Sequence, residues 1–557
     1  LKTIPITSKG YKNFPPEDFL NKWTFVNLSP GLGKTYKIVY LIVDYCLGKW
    51  RKKKSRNPHL KLVICMPNHN KIYEFTGNHG ERMSANFVHL LGKDQYDRHS
   101  GMPVCLVENE MLRINPGCGD PWWENNKKHF PCEFSEDCLY HKQWRWGKDV
   151  NVIFCVKEHL QIACQMYNPD VVIIDETIES LIAQGIKIPK RIWKKKRITY
   201  NILDCETNCP IKDVCKLKEK FKRYAKSLDK ENLETKEYEK AIRRFKFGRC
   251  ALVLHHKINK ERLKNFEPLT LEEYHFKEIF QRENKLYGIM DSQKGFLVMA
   301  YRSIDFLHFV PTVIFNCATT QLEMSKKVFN HDFDQMFVDG TQLKNKIYML
   351  DEKMTINKTE KIIHHLPTYC KFFKIKENKD LLLYTKKKFK DGILVDLFPN
   401  VSIGNYGDAR GYNKYEHCKD VMLLGRFDLR ESVKLLLWFR GYKHPKETNW
   451  LGKAEEIQAL HRIRPLLYEN KKIFLFTNSL KEYLGDKITL LFTRADLKIA
   501  REIKRKRKHL VGLTRTKIRQ KIGHRTETLK RVFKLLHEFG YCNDMVNEKG
   551  TKLEWLT

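Results

Sequence analysis

The stretch Thr24-Phe25-Val26-Asn27-Leu28-Ser29-Pro30-Gly31-Leu32-Gly33-Lys34-Thr35, followed by the apolar run Ile38 to Leu47, decides how the rest of the chain is read. A strand-like segment enters a glycine-bearing loop and a helix leaves it, the arrangement that cradles a polyphosphate. Gly31 and Gly33 let backbone N–H groups approach the anion, and the helix turns its positive end toward it. Lys34 reaches the β and γ phosphates, and Thr35 can ligate Mg²⁺. Ser29, Pro30, Gly31, Leu32, Gly33, Lys34 and Thr35 are therefore the expected nucleotide-binding residues, with ATP or GTP as the ligand. The eight-residue pattern starts at Leu28, where glycine is usual.

The 557-residue chain is long enough for several domains, and its 42% hydrophobic content suffices for a large core. With 103 Lys and Arg against 66 Asp and Glu, the formal charge is +37, so a polyanion, first of all nucleic acid, is the expected partner. A generally Lys-rich proteome would give a balanced Lys/Glu surface, and this excess is one-sided. No 18-residue uncharged apolar run occurs, and Leu1 to Gly10 lack a signal-peptide core. No membrane partner and a cytoplasmic, intracellular location are expected. The chain begins with Leu, so a further upstream domain is allowed for. In such a compartment the 16 cysteines point to local groups rather than a disulfide framework.

Strand-like runs recur at Phe25 to Leu28, Leu60 to Met66, Val150 to Val156, Val171 to Ile174, Thr312 to Phe315, Leu381 to Tyr384, Val421 to Leu424 and Ile473 to Phe476. Their spacing suits alternating strand and helix, and their β-branched content suits parallel sheets buried on both faces. The run Val171 to Ile174 ends in Asp175-Glu176-Thr177. A carboxylate at a strand tip can hold Mg²⁺, and an adjacent Glu can orient and deprotonate an attacking water, so Asp175 and Glu176 are candidate catalytic residues.

Three later segments follow in order. Pro311 to Thr320 reads Pro-Thr-Val-Ile-Phe-Asn-Cys-Ala-Thr-Thr, Gly404 to Asn413 reads Gly-Asn-Tyr-Gly-Asp-Ala-Arg-Gly-Tyr-Asn, and Glu455 to Pro465 reads Glu-Glu-Ile-Gln-Ala-Leu-His-Arg-Ile-Arg-Pro. They resemble motifs III, V and VI of superfamily 2 helicases, after motif I (Leu28 to Thr35) and motif II (Asp175 to Thr177). Leu62 to Asn68 resembles motif Ia and Leu381 to Lys387 motif IV. The resemblance spans residues 24–480 and accounts for Leu28, since helicase loops relax that glycine.

The resemblance implies an α/β fold of two RecA-like P-loop lobes, with lobe 1 over 1–350 and lobe 2 over 351–492. It gives Thr319 and Thr320 the coupling of hydrolysis to strand contact, and sets Gly411 and Asn413 where motif V meets nucleotide and nucleic-acid backbone. Gln458, Arg462 and Arg464 would come from the second lobe, the arginines meeting the γ-phosphate charge. The family's second arginine lies seven residues after the Gln, where this chain has Pro465, and Arg464 stands one earlier. For an isolated arginine in so basic a chain, a solvated basic face is the plain alternative.

Between motifs Ia and II, residues 103–148 are poor in aliphatic residues and contain Cys105, Cys118, Cys132 and Cys138. A metal would supply the missing stabilisation. The position resembles the iron-sulphur domain of the XPD and DinG-like branch, which implies a 4Fe-4S cluster; His141 as a substitute ligand would favour Zn²⁺. Cys205, Cys209, Cys215 and Cys250 form a second candidate group, whose string Asp204 to Cys215 resembles the cysteine run of iron-sulphur nucleases related to the AddB family. Cys65, Cys155, Cys164, Cys317, Cys370 and Cys418 lie in or beside apolar runs and read as buried thiols.

Residues 178–310 exceed what a lobe needs, and Lys216 to Phe247 reads as long solvated helices, so a mainly helical, arch-like insertion is expected. From 493 to 557 a basic helix (Ala500 to His509), a short helix stopped by Gly523, an amphipathic helix (Glu527 to Phe539) and a turn at Asn547 to Gly550 give the order of a winged-helix DNA-binding domain. Its expected recognition helix carries Lys530 and Arg531. Together these readings predict an ATP- and Mg²⁺-dependent DNA helicase or translocase acting on single strands and forks in replication or repair, alongside replication proteins. A plasmid- or virus-type replication helicase is its narrower form. The rivals are a nucleotide-switched replication initiator or regulator, a viral packaging motor, and an RNA substrate.

Overall fold

A computed structural model describes residues 2–3, 6–7, 10–11, 16–28, 35–46, 60–83, 87–106 apart from 94 and 99, 137–175, 183–187, 251–252, 286–292, 295–301, 304–317, 322–338, 343–406, 415–427, 445–543 apart from 467, and 552–556. Seven apolar runs assemble the first sheet: β1 (Trp23–Asn27), β2 (Leu62–Cys65), β3 (Phe87–His89), β4 (Val152–Cys155), β5 (Val171–Ile174), β6 (Thr312–Asn316) and β7 (Gln335–Val338). Their order is β7-β1-β6-β5-β2-β4-β3, with the short strand Lys2–Thr3 beyond β7, and every pairing is parallel.

Both faces are covered, and the two-residue period of a strand feeds two cores. Phe25, Val63, Ile153, Val172 and Val313 enter one, while Val26, Ile64, Phe154, Ile173 and Ile314 enter the other. The second core is closed by the π-wound turn Tyr36–Tyr40 and α1 (Leu41–Cys46), through Ile38, Val39, Ile42 and Val43. Further helices are α2 (His69–Met83), α3 (Leu139–Asp149), α4 (Lys157–Tyr167) and α5 (Leu322–Phe329).

The chain leaves β1 across β6 and β5 to reach β2, whereas from β6 it crosses β1 the other way to β7. Neighbouring strands β1 and β6 thus diverge, and in open parallel sheets the crevice at their carboxyl ends is where ligands bind.

The second sheet comprises β8 (Lys346–Leu350), β9 (Leu381–Thr385), β10 (Ser402–Asn405), β11 (Asp420–Leu424), β12 (Lys472–Phe476) and β13 (Leu490–Phe492), ordered β10-β9-β11-β12-β8-β13 and parallel throughout. It therefore begins at Lys346, where the sequence reading closes the first lobe at 350. On its faces lie α6 (Ile356–Phe372) and α7 (Pro445–Leu460). Gly425, just past β11, has φ +76°, and a Cβ there would stand 2.6 Å from Thr359 Oγ1.

Within 178–310 the described segments include the strands Ala183–Lys187, Ala251–Leu252, Leu286–Ser292 and Gly295–Tyr301, which form an antiparallel sheet, and the short 3-10 helix Asp305–Phe309. Leu286–Ser292 and Gly295–Tyr301, separated in sequence by Gln293 and Lys294, pair antiparallel with hairpin spacing. Lys216 to Phe247 lies outside the described residues.

After β13 come α8 (Arg494–Arg505), α9 (Arg515–Ile522) and α10 (Thr526–Glu538). α8 starts six residues before the expected Ala500, because Thr493 and Asp496 form a reciprocal capping box. Gly523, φ +78°, ends α9 as expected. Thr514 bridges Lys552 and Cys542 bridges Trp555, both antiparallel; Asn547 to Gly550 lies outside the described residues. These helices share the second sheet's core. The Phe539 ring lies 4.8 Å from Phe373 and 4.9 Å from Tyr348, and Tyr348 donates its hydroxyl to Glu538 at 2.9 Å. No helix among the described residues is long and apolar enough to cross a membrane.

Candidate functional site

At the carboxyl edge of the first sheet, three side chains from three segments meet. Thr35 opens the helical segment after β1, Asp175 follows β5, and Asn316 ends β6, the strand between them. Thr35 Oγ1 donates to Asp175 Oδ2 at 2.8 Å, and Asn316 Nδ2 donates to Asp175 Oδ1 at 2.8 Å. Asp175 is fixed further by its own N–H, which bonds the Cys65 carbonyl at 2.8 Å. The parallel register explains the meeting, since it sets Asn316 beside Val26 and Phe315 beside Ile174, levelling the three strand tips.

Chemically this is a carboxylate and a hydroxyl side by side at a topological switch point. Both are hard oxygen donors of the kind Mg²⁺ prefers, so the pair fits a Mg²⁺–nucleotide complex. Ser29, Pro30, Gly31, Leu32, Gly33, Lys34, Glu176, Thr319, Thr320, Gly411 and Asn413 lie outside the described residues. Asn316 was not singled out in the sequence as a site residue. The available signal was a carboxamide closing an otherwise apolar strand, now 1% exposed and turned onto the acid.

The second sheet presents Gln458 on α7 and Arg462 just beyond it, both half-buried and both engaged by neighbours. Leu466 packs against the core that contains Leu28 and Ile38, and Phe427 packs against cores of both sheets. The segment after α7 therefore lies against the core on that face of the first sheet. Arg464, in a left-handed conformation with φ +50°, places Nη1 3.2 Å from Glu416 Oε1, and Tyr468 donates its hydroxyl to the same oxygen at 2.8 Å. Behind them Lys471 Nζ bonds the carbonyls of Glu416 and Cys418, and burial lowers its pKa. Two residues before Gln458, the buried Glu456 accepts the Phe427 N–H at 2.7 Å and bonds the Ser479 hydroxyl.

Of the first cysteine group, Cys105 and Cys138 are adjacent and buried. Cys138 Sγ lies 3.4 Å from the Val104 carbonyl, and the neighbouring Cys105 thiol, then burial, push Cys138 well above the usual thiol range. Cys118, Cys132, Cys205, Cys209, Cys215 and Cys250 lie outside the described residues, and among those described no three His, Cys, Asp or Glu side chains form a metal-sized group. His141, the alternative ligand, is buried on α3. Cys65, Cys155, Cys164, Cys317, Cys370 and Cys418 are all buried, as expected of structural thiols.

Two imidazoles at the same carboxyl edge also went unread in the sequence. His69 Nδ1 lies 2.9 Å from His89 Nε2, Tyr73 packs edge-on to His89, and the Arg98 guanidinium sits 5.1 Å from the Tyr73 ring centre.

No family model matches this sequence, and no curated protein matches it. Among solved structures, the chain is similar to an XPD helicase (14% identity, 86% of this chain and 97% of that one, TM-score 0.49). It is also similar to S. tokodaii Xpd4 (12%, 85% and 96%, TM-score 0.41) and to the DEAD-box helicase Mss116 bound to ssRNA and UDP-BeF (10%, 94% and 84%, TM-score 0.39). At these values the likeness is one of broad outline, and function rests on the site.

Proposed function

We propose that this chain is an ATP-hydrolysing nucleic-acid motor, and more narrowly a superfamily 2 DNA helicase of the XPD and DinG-like branch. The observation that supports the reading is the Thr35, Asp175 and Asn316 constellation at the switch point of a parallel sheet. Thr35 and Asp175 would hold Mg²⁺, which when bound bridges the phosphates and neutralises their charge. Ser29 to Gly33 would wrap the phosphates with backbone N–H groups and Lys34 would pair with them. Glu176, next to Asp175, would accept the proton of the attacking water. Arg462 would supply charge from the second lobe, and Gln458, Gly411 and Asn413 would line the same cleft. Thr319 and Thr320, just past Asn316, would relay the state of the site to the bound strand.

The helices α8 to α10 with their two bridges support a winged-helix unit, and the +37 charge supports a nucleic-acid partner. Cys105 and Cys138 would hold two corners of an iron-sulphur cluster or zinc ion, with Cys118 and Cys132 as the other ligands. Lys34→Ala should abolish DNA-stimulated ATP hydrolysis while leaving much of the DNA affinity, and retained hydrolysis would sink the assignment. Glu176→Gln should trap bound ATP. Hydrolysis without strand displacement would move the reading to a nucleotide-switched initiator. The absorption spectrum of anaerobically purified protein separates an iron-sulphur cluster from colourless zinc.

A further inference from the structure

The basic charge of the C-terminal unit is distributed unlike that of a base-reading helix-turn-helix. Residues 494–534 contain sixteen Lys or Arg and three Asp or Glu. On α10, the expected recognition helix, Leu529, Val532, Phe533 and Leu536 are buried, leaving Glu527, Lys530, Arg531 and Lys534 as the exposed stripe. Arg531 is committed elsewhere: its guanidinium forks onto the fully buried Asp496, Nε to Oδ2 at 3.2 Å and Nη2 to Oδ1 at 3.1 Å. On the helix itself two lysines and a Glu remain, with no Asn or Gln to pair with adenine, and Arg525 at its N-cap is an exposed guanidinium outside the Asp496 fork.

The denser charge lies on the other two helices. Arg505, Arg507 and Lys508 at the end of α8 are exposed, as are Lys517, Arg519 and Lys521 on α9. Hydrogen bonds join these groups into one face. Lys521 Nζ reaches the His509 carbonyl at 3.2 Å, Trp555 Nε1 holds the Arg507 carbonyl at 3.2 Å, and Arg519 Nη1 reaches Thr526 Oγ1 at 3.1 Å. No Phe, Tyr or Trp among the described residues of 494–556 is exposed, and the half-buried Trp555 is tied by its Nε1 to the Arg507 carbonyl, so the face offers His509 but no open large ring as a stacking platform for single strands.

We infer that the end of α8, the turn at 507–509 and α9 form a grip for the phosphodiester backbone of a duplex, independent of base sequence, and that α10 is a buttress. The inference rests on the nucleic-acid reading above and adds the contact face and the kind of recognition. Its chemistry is charge neutralisation with counterion release, for which several Lys and Arg on one face suffice.

The test uses full-length protein without nucleotide, so that it is independent of ATP hydrolysis. Anisotropy titrations across a salt series would use duplex DNAs of several sequences, duplex RNA, and vesicles of phosphatidylserine and phosphatidylcholine. The triple substitution Arg505→Gln, Arg507→Gln, Lys508→Gln should flatten the log–log salt slope by about 2.7, roughly 0.9 per lost contact, equally on every sequence. Replacing Arg505 and Arg507 by Lys should keep the slope, which separates charge from misfolding. Loss on duplex DNA, duplex RNA or both supports the grip and names its source. An unchanged slope, a loss confined to one sequence, a greater loss from Lys530→Gln with Lys534→Gln, or a loss seen only on vesicles overturns it. A Lys34→Ala protein that still hydrolyses ATP but shows this duplex grip would fail the motor reading alone.

Discussion

Replacing Asn316 by Ala removes the only carboxamide that the structure turns onto Asp175 among the described residues, and leaves the strand pairing of β6 intact because that pairing uses backbone alone. The lost contact is a 2.8 Å hydrogen bond from Asn316 Nδ2 to Asp175 Oδ1, made by a residue 1% exposed. A hydrogen bond to a charged acceptor contributes about 1.5–3 kcal/mol. Asp175 keeps the Thr35 hydroxyl on its other oxygen at 2.8 Å and has further neighbours, which favours the lower end of that range. Groups that orient a metal's ligands typically cost 10–100-fold in metal affinity or activity when removed, and about 1.4 kcal/mol is tenfold. Steady-state ATP hydrolysis of Asn316→Ala against Mg²⁺ concentration should therefore show a half-saturating Mg²⁺ raised about tenfold. The thermal melt without Mg²⁺ should move far less. A variant with the parental Mg²⁺ dependence would refute the reasoning, since Asn316 would then be a satisfied core amide and nothing more.

Phe373 is fully buried between the second sheet and α10, with ring contacts at 4.8 Å to Phe539 and 5.1 Å to Phe474. Phe373→Ala should cost about 3–5 kcal/mol in urea unfolding and expose the C-terminal helices to limited proteolysis. Arg531→Ala leaves the buried Asp496 with only its capping contacts; because Arg531 is half exposed, the loss should be about 1–2 kcal/mol, below the 3–5 of a fully buried pair, measured by the same unfolding curves. Burial holds the His69 pKa below the ordinary 6.5 despite the opposing pull of Glu158, so the folded state favours the neutral imidazole more than the unfolded chain does. Below pH 6.5 the unfolded chain takes up more protons, and this part of the stability is lost as pH falls. His69→Asn should flatten the stability profile as pH falls below about 6.5, and an identical profile would remove His69 from the acid response.

All eight apolar runs seen in the sequence lie in strands of the two parallel sheets, because a strand buried on both faces must be apolar at every position. The strands that escaped are mostly those for which that condition lapses. Phe87–His89, Gln335–Val338 and Ser402–Asn405 are half-buried strands near sheet edges, where alternation or a polar residue dilutes the signal. Lys346–Leu350 is interior and hidden for another reason: it follows the first lobe so closely that its apolar run reads as that lobe's end. Thr35 and Asp175 were legible because one closes and the other opens a contiguous motif. Asn316 and the His69 and His89 pair were not, since register and crossover direction bring them into place, and neither is written locally.

Arg464 shows how a departure from pattern acquires a physical role. Standing one position short of the family's second arginine, it adopts φ +50°, a left-handed conformation that costs a non-glycine residue about 1–2 kcal/mol. The bond to Glu416, which also accepts from Tyr468, offsets that cost and pins the turn between Arg462 and Leu466. In the proposed motor, Arg464 held by Glu416 would position the segment that carries Arg462. Glu416→Gln and Arg464→Gln should then lower ATP turnover to the same modest extent, and the double variant should be no worse than either, a coupling within the 0.5–3 kcal/mol typical of contacting pairs. If Arg464→Gln abolished turnover while Glu416→Gln left it intact, the guanidinium would have to leave Glu416 during the cycle and act on the nucleotide directly.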